Sequence, residues 1–289
     1  MGQLGYGARV SSETTSNTTF AELLARVPGS LESGQIIRTH MPADWGQGRS
    51  SFGGAITGLA LAAIEAVLPR DGDERRRCRS MMVSFAGPVA AGEVELSASV
   101  IRHGRSATHA SASVTQDGSV RCIVMAGCAS PRPSAIEIAG AARPNLAGPE
   151  GLISMPFIPG LMPVFTRYFE MCWASGGPPG SGIDEPRFTG WVRFREHVAG
   201  PLGPAWIAAL VDAWPAPAMQ SLRKPALASS LTWMLELVDE APEAASDEFW
   251  AFAVETERAS GGWVHTRGRL WSPGGTLVAT STQTVALFA

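Results

Sequence analysis

The chain has 289 residues, of which 45% are apolar, 17% charged and 8% aromatic. This is enough apolar material to bury one large core or two medium ones, so a disordered or fibrous protein is excluded. With 23 basic and 26 acidic residues the formal net charge is -3, which gives no general attraction to nucleic acid or to a membrane surface. Any anionic ligand must therefore be held by local geometry.

The first half of the chain predicts one buried helix followed by four strands. Phe52-Gly53-Gly54 opens an apolar run with helical spacing, which Pro69 ends. This run is apolar nearly all round, so we expect the helix to be buried. The strand signals that follow cover residues 81–85, 94–100, 108–115 and 120–128, with hairpin turns at Gly104-Arg105 and Asp117-Gly118.

A charged run separates this helix from the first of the strands. Two interpretations stay open, a solvated loop or a clamp for a phosphate-bearing ligand. The run consists of Asp71, Asp73 and Glu74 followed by Arg75, Arg76, Arg77 and Arg79.

The second half predicts the same order of elements after a segment that reads as a linker. Residues 130–163 are rich in Pro, Gly and Ala and show no regular period. A helix is predicted over residues 204–214, ended by Pro215, and strands over residues 227–238, 249–257, 263–271 and 276–288. We therefore predict a domain over residues 20–129, a linker over 130–163 and a second domain over 164–289.

The two halves repeat one pattern. The shift that places Gly104 on Gly261 also places the turn Asp117-Gly118 on Gly274-Gly275, with strands of matching length between. A helix followed by consecutive antiparallel strands leaves no room for crossover helices. We therefore predict an α+β fold in which an antiparallel sheet wraps around one central helix, twice.

The four cysteines and the N-terminus indicate where the protein functions. Cys78, Cys122, Cys128 and Cys172 lack the spacing of a zinc site, so we expect no metal and reduced thiols in the core. The N-terminus has no secretion signal, and the longest apolar run, near residues 55–64, is too short to span a bilayer. We expect a cytoplasmic protein that binds neither nucleic acid nor membrane.

Standard catalytic signatures are absent, so the candidate chemistry rests on isolated polar residues. Asp212 lies on a stripe of alanines in the second helix, where it is either solvated or placed beside small side chains that leave room for a ligand. Gln283 falls among apolar residues of the last strand and, if that face is buried, needs a partner such as Asp212. A surface glutamine is the alternative interpretation.

Two further groups complete this constellation. Ser230 and Thr232 begin the strand after the Asp212 helix and are predicted to share a face. A carboxylate, an amide and a hydroxyl can together hold one water and remove its proton. Phe52-Gly53-Gly54 stands at a helix N-terminus, where free N–H groups form either an oxyanion hole or an ordinary turn.

These residues resemble the type II acyl-CoA thioesterases, a family with a double hotdog fold. The resemblance covers residues 33–288 and is carried by Phe52-Gly53-Gly54, residues 102–106, 116–118 and 126–130, Asp212, and residues 274–283. In that family an aspartate, a Ser/Thr and a glutamine orient the hydrolytic water, and Asp212 and Gln283 match two of them. An ungapped comparison puts the family's hydroxyl at Ala228, so we assign this role to Ser230, with Ser229 as its substitute.

The resemblance implies hydrolysis of an acyl-CoA thioester to a free acid and CoA, with no cofactor. Asp212, Gln283 and Ser230 would be catalytic, Phe52, Gly53 and Gly54 would bind substrate, and the protein would be a homo-oligomer. Two alternatives stay open. One is a hotdog hydratase or dehydratase, which pairs a carboxylate with a histidine, and the other is a non-catalytic protein that binds acyl thioesters.

Overall fold

The computed structural model of the chain describes residues 17–71, 74–238 and 243–289. Asp73 of the charged run lies outside these residues, and the side chains of Asp71, Glu74 and Arg75 are not described either.

The described residues form two long strand regions, each with one central helix. The helices are α1 (Phe20–Leu24), α2 (Gly53–Val67) and α3 (Pro204–Asp212), with 3-10 turns at Ala43–Trp45, Pro149–Gly151, Val164–Tyr168 and Pro217–Ser221. The strands of the first half are β1 (Ile36–Met41), β2 (Gly46–Gln47), β3 (Ser50–Ser51), β4 (Arg70–Asp71), β5 (Glu74–Arg75), β6 (Arg77–Phe85), β7 (Gly92–His103), β8 (Ala107–Gln116) and β9 (Ser119–Ala129). The strands of the second half are β10 (Phe169–Ser175), β11 (Arg187–Phe194), β12 (Leu227–Leu237), β13 (Trp250–Ser260), β14 (Trp263–Trp271) and β15 (Leu277–Phe288).

The sheets of the two halves are joined into one. Its eleven strands lie in the order β1-β7-β8-β9-β6-β12-β15-β14-β13-β11-β10, and neighbouring strands are antiparallel. The join is the pairing of β6 with β12, where Val83 lies opposite Trp233. The tandem hotdog prediction is confirmed in each half, and the two predicted sheets share a continuous ladder.

The two helices lie on the same face of this sheet and contact each other. Helix α2 packs on β7, β8 and β9, and α3 packs on β11, β14 and β15. Every residue from 54 to 61 is buried, as the apolar run predicts. A Cβ at Gly54 would come within 2.9 Å of the Ala209 Cα, so glycine is what allows α2 to approach α3 this closely.

The predicted strands correspond to β6 to β9 and β12 to β15, and the other three strands of the eleven-stranded sheet were not predicted. Strand β1 pairs with β7, and β10 and β11 extend the other end of the sheet. Residues 190–192 of β11 are all buried, so this strand lacks the alternation of a strand with one solvated face. The apolar period that sequence reasoning looks for is therefore missing there.

The predicted linker covers the face of the second-half sheet that points away from the helices, which we call the outer face. The indole N–H of Trp191 donates to the Ala147 carbonyl at 2.8 Å, and that of Trp271 donates to the Ala141 carbonyl at 2.8 Å. Beneath this segment Cys172, Trp191, Ala251 and Trp271 form a separate apolar cluster. The segment thus covers outer-face residues of β10 and β11, which the sequence did not reveal, and of the predicted strands β13 and β14.

Arg76 of the charged run has a structural role. Its guanidinium donates to the Gly104 carbonyl at 2.7 Å, to the Arg105 carbonyl at 3.0 Å and to the Thr108 hydroxyl at 3.1 Å. Arg76 is buried and holds the turn between β7 and β8, so the solvated-loop interpretation is wrong for this residue. Arg77 is exposed.

All four cysteines are buried and unpaired. Within the described residues, no group of three or more His, Cys, Asp or Glu side chains could hold a metal ion. None of the helices described here has the length and apolarity that crossing a membrane requires.

Candidate active site

The structure brings Asp212, Gln283 and Ser230 together. Asp212 is the last residue of α3, and Gln283 and Ser230 lie on the paired strands β15 and β12. The Gln283 Nε2 donates to Asp212 Oδ1 at 3.2 Å and to Ser230 Oγ at 2.9 Å. Because a carboxylate can only accept, the amide nitrogen must face Asp212, and the Gln283 Oε1 is left as an acceptor.

The Asp212 carboxylate lies against the N-terminus of the other helix. A Cβ at Gly53 would stand 2.6 Å from Asp212 Oδ2, and the backbone N–H of Gly54 forms a hydrogen bond with this carboxylate. Asp212 ends α3, where the helix dipole disfavours a negative charge, but the start of α2 compensates with its own dipole and free N–H groups. The site is therefore built from both halves.

Burial gives Asp212 an acid strength suited to proton transfer. Desolvation raises the pKa of Asp212 to about 7, although hydrogen bonds from Gln283 and Gly54 act to lower it. A carboxylate with a pKa near the working pH is present in its basic form and is also basic enough to accept a proton. Perturbed pKa values of this kind are typical of functional sites.

The three residues predicted to bind substrate take different positions. The backbone N–H of Phe52 donates to the Trp45 carbonyl at 2.7 Å, and its ring is fully buried against Phe165 at 4.1 Å between centroids. Phe52 therefore anchors the turn in the core, and its N–H is not free for an oxyanion. Gly53, the first residue of α2, has no carbonyl one turn earlier in the helix to which its N–H can donate.

The predicted hydroxyl set needs a correction. The ladder between β12 and β15 pairs Ser230 with Val285 and Thr232 with Thr284, so Leu231 is an extra residue in a β-bulge. The bulge moves Thr232 to the outer face, where it is exposed, and the prediction that it shares a face with Ser230 is wrong. Ser229 is also exposed, and only Ser230 contacts Gln283.

A small cavity adjoins the carboxylate and the amide. Its volume is about 20 Å³, which is room for about one water molecule. Among the residues around it are Trp214, Trp233, Phe252 and Val254, and the polar ones are Asp212, Thr266, Ser281 and Gln283. Sequence reasoning missed Thr266 and Ser281 as site residues, although Thr266 follows the exposed His265 and Ser281 shares a face of β15 with Gln283.

No histidine of the described residues accompanies Asp212. Its hydrogen bonds come from Gln283 and Gly54, and no imidazole lines the cavity. His265 is exposed on the outer face of β14, and His197 pairs with Asp247 on the surface at 2.8 Å. The carboxylate–histidine pair that a hydratase needs is therefore not formed at this site.

Comparisons with known proteins agree with this architecture. The acyl-CoA thioesterase N-terminal domain model matches residues 41–130, and the acyl-CoA thioesterase C-terminal domain model matches residues 149–287. No curated protein shows significant sequence similarity to the chain.

Solved structures share the fold at low sequence identity. A hot-dog-fold protein of unknown function from Alicyclobacillus acidocaldarius is 20% identical, with 89% of this chain and 94% of that chain covered and a TM-score of 0.77. An acyl-CoA thioesterase II from Mycobacterium marinum is 19% identical, with 93% and 98% covered and a TM-score of 0.69. A tesB protein from Mycobacterium avium subs paratuberculosis is 18% identical, with 94% and 100% covered and a TM-score of 0.71.

Proposed function

The chain belongs to the type II acyl-CoA thioesterase family, and from this membership we propose that it hydrolyses an acyl-CoA thioester to a free acid and CoA. The attacking group would be a water held by Asp212 and Gln283. The observation that carries the proposal is the hydrogen bond from the Gln283 amide to the half-buried Asp212 carboxylate, beside a cavity with room for about one water.

Asp212 would act as the general base. Its pKa of about 7 allows it to take a proton from water as the water oxygen bonds to the thioester carbonyl carbon. The proton on Asp212 would then pass to the departing sulfur as the carbon–sulfur bond breaks, which leaves CoA as a thiol and restores the carboxylate. The proposed steps need only a water and the side chains of this chain.

Gln283 would fix the orientation of that water. Both Nε2 hydrogens are used, one toward Asp212 and one toward Ser230, so Oε1 can accept a hydrogen from the water. The water would then donate to Asp212 and to Gln283, and a lone pair of its oxygen would face the substrate. Because the water is already oriented before the reaction, the entropy loss of ordering it does not add to the activation barrier.

The negative charge that develops on the carbonyl oxygen needs donors at the start of α2. Gly53 supplies an N–H at the first position of this helix, and glycine allows a carbonyl oxygen to approach the backbone closely. The positive end of the helix dipole stabilises the same charge. The acyl group would contact the aromatic side chains that enclose the Asp212 cavity.

The proposal is tested by the release of free thiol from a series of acyl-CoA substrates. We expect turnover by the native chain and a loss of about 100-fold or more in kcat for Asp212→Asn, since the base is removed while the shape is kept. Asp247→Asn, at an exposed carboxylate on the surface, is the matched control and should retain full activity. Undiminished turnover by a folded Asp212→Asn variant would contradict the assignment.

Two further measurements, the absorbance of an enoyl thioester and the binding of acyl-CoA, separate the alternatives. An enoyl thioester that loses its conjugated double bond without thiol release would indicate a hydratase. Saturable acyl-CoA binding without any turnover would indicate a binding protein.

A further inference from the structure

Thr266 faces the same cavity as Asp212 from the strand next to Gln283. In the ladder between β14 and β15, Thr266 lies directly opposite Gln283. Directly opposed residues on one face of an antiparallel pair have Cβ atoms about 5 Å apart. The side chains of Thr266, Gln283 and Asp212 therefore border one small space.

The Thr266 hydroxyl is free to bind a ligand. Within the part of the chain that the structure describes, it has no hydrogen-bond partner, and Thr266 is only 7% exposed. Its oxygen is not one of the unpartnered polar atoms that are fully enclosed, in contrast to the hydroxyl oxygen of Thr57 in α2. The Thr266 oxygen therefore retains some accessible surface, and Thr266 is one of the residues around the Asp212 cavity.

The other nearby hydroxyls are already engaged. Ser230 accepts from Gln283 and is not among the residues that line the cavity, so it acts on the amide and does not reach the space beside Asp212. Ser281 accepts from the Trp233 indole N–H at 2.9 Å. Thr266 is thus the cavity hydroxyl without a protein partner.

We propose that Thr266 is a positioning residue for the hydrolytic water, an inference that rests on the proposed thioesterase function. A water has two hydrogens and two lone pairs. The hydrogens go to Asp212 and to Gln283 Oε1, and the Thr266 O–H donates to one lone pair. The remaining lone pair then has a single direction, toward the thioester carbon.

Three variants test this role. Thr266→Val keeps the shape but removes the hydroxyl, and we expect kcat to fall about 10- to 100-fold, the effect of one lost hydrogen bond to a reacting group, with KM within about twofold. Thr266→Ser restores the hydroxyl and should recover most of kcat. Thr282→Val changes an exposed threonine on the adjacent strand and should leave both constants unchanged.

The outcomes separate this inference from the function on which it rests. Native kcat in folded Thr266→Val, or equal losses in Thr266→Val and Thr266→Ser, would overturn the positioning role while activity and its dependence on Asp212 remain. Absence of thiol release by the native chain would overturn the proposed function itself. If Thr266→Val does not fold, Thr266→Cys, which is smaller and a weak donor, replaces it in the comparison with Thr266→Ser.

Discussion

The two halves of the sheet differ at a pair of facing residues that lies beside the candidate active site. In the second half Thr266 lies opposite Gln283 beside a cavity, and the shift that relates Gly104 to Gly261 places Ala126 at the position of Gln283. Ala126 lies opposite Ala110, and both alanines are buried. The ladder between β8 and β9 thus holds a close contact between two alanines. The equivalent ladder between β14 and β15 holds polar side chains beside a cavity with room for about one water.

The helices differ in the same sense. Helix α2 has 15 residues and offers the site only backbone groups, while α3 has 9 residues and ends in the candidate base. Around α3 the space is filled by aromatic rings, with Trp214 stacked on Phe252 at 5.7 Å and edge-on to Trp173 at 4.9 Å. The first half is thus mainly a packed apolar core. The second half holds polar side chains among aromatic ones.

The largest effect is expected where the two copies touch. Gly53→Ala would place a Cβ 2.6 Å from Asp212 Oδ2 and displace the carboxylate, so we expect kcat to fall about 100-fold. Gly203→Ala, before α3, is the matched control, because a Cβ there meets no atom within 4 Å. Equal activities of the two variants would show that contact with α2 does not place the base.

A second variant introduces a glutamine in the first half, at the position equivalent to Gln283. Ala126→Gln would bury an amide among alanines that offer it no partner, and we expect the free energy of unfolding to fall by about 2–3 kcal/mol. Urea unfolding monitored by tryptophan fluorescence measures this change, and Gln283→Ala should cost less stability while it lowers kcat. A well-tolerated Ala126→Gln would mean that the first half also has room for a polar site.

A third prediction concerns the stability cost of the base. The pKa of Asp212 is raised from 3.8 to about 7, so the folded state disfavours the ionised form. The free energy of unfolding should fall as the pH rises through this window and then level off. Asp212→Asn should lack this dependence and be more stable at pH 8 by on the order of 4 kcal/mol, the free energy that a shift of about three pKa units represents.

Urea unfolding at pH 4.5 and pH 8 measures that difference, with Asp247→Asn as the surface control. The pH profile of kcat/KM gives an independent readout, because it should rise up to about pH 7 and then level off. If the difference in unfolding free energy between the native chain and Asp212→Asn is the same at both pH values, the pKa of Asp212 is not raised in the folded state.

The smallest effect is expected at the hydroxyl that holds the amide. Ser230→Ala removes one hydrogen bond to Gln283 and should lower kcat about 3- to 10-fold, since Asp212 still accepts from the amide. Ser229→Ala, on the exposed face, should have no effect. Equal losses at both serines would contradict the hydrogen-bond assignment.

Local sequence pattern predicts much of this fold and part of this site. Helical spacing and alternation locate α2, α3 and eight strands, because each of these elements has a regular apolar period. Asp212 and Gln283 stand out as polar residues among apolar ones, and the structure shows the predicted contact between these two half-buried side chains. The domain limits, the homo-oligomer and the cytoplasmic location stay predictions.

The features that the sequence did not predict depend on contacts between distant residues, which produce no regular apolar pattern along the chain. The join of β6 to β12 pairs residues about 150 positions apart, and the bulge at Leu231 is visible only in the ladder register. Thr266 looks like any strand threonine until β15 places Gln283 opposite it. Arg76 likewise reads as part of a charged loop until its carbonyl partners are known.

The covalent joining of the two halves has an evolutionary consequence. In a symmetric pair of identical subunits, every substitution occurs at both equivalent places, so a buried acid would weaken both cores at once. In a single polypeptide each copy mutates alone, and the destabilising aspartate is needed only in one. The alanine-lined copy can then serve as a stable support while its counterpart changes its chemistry.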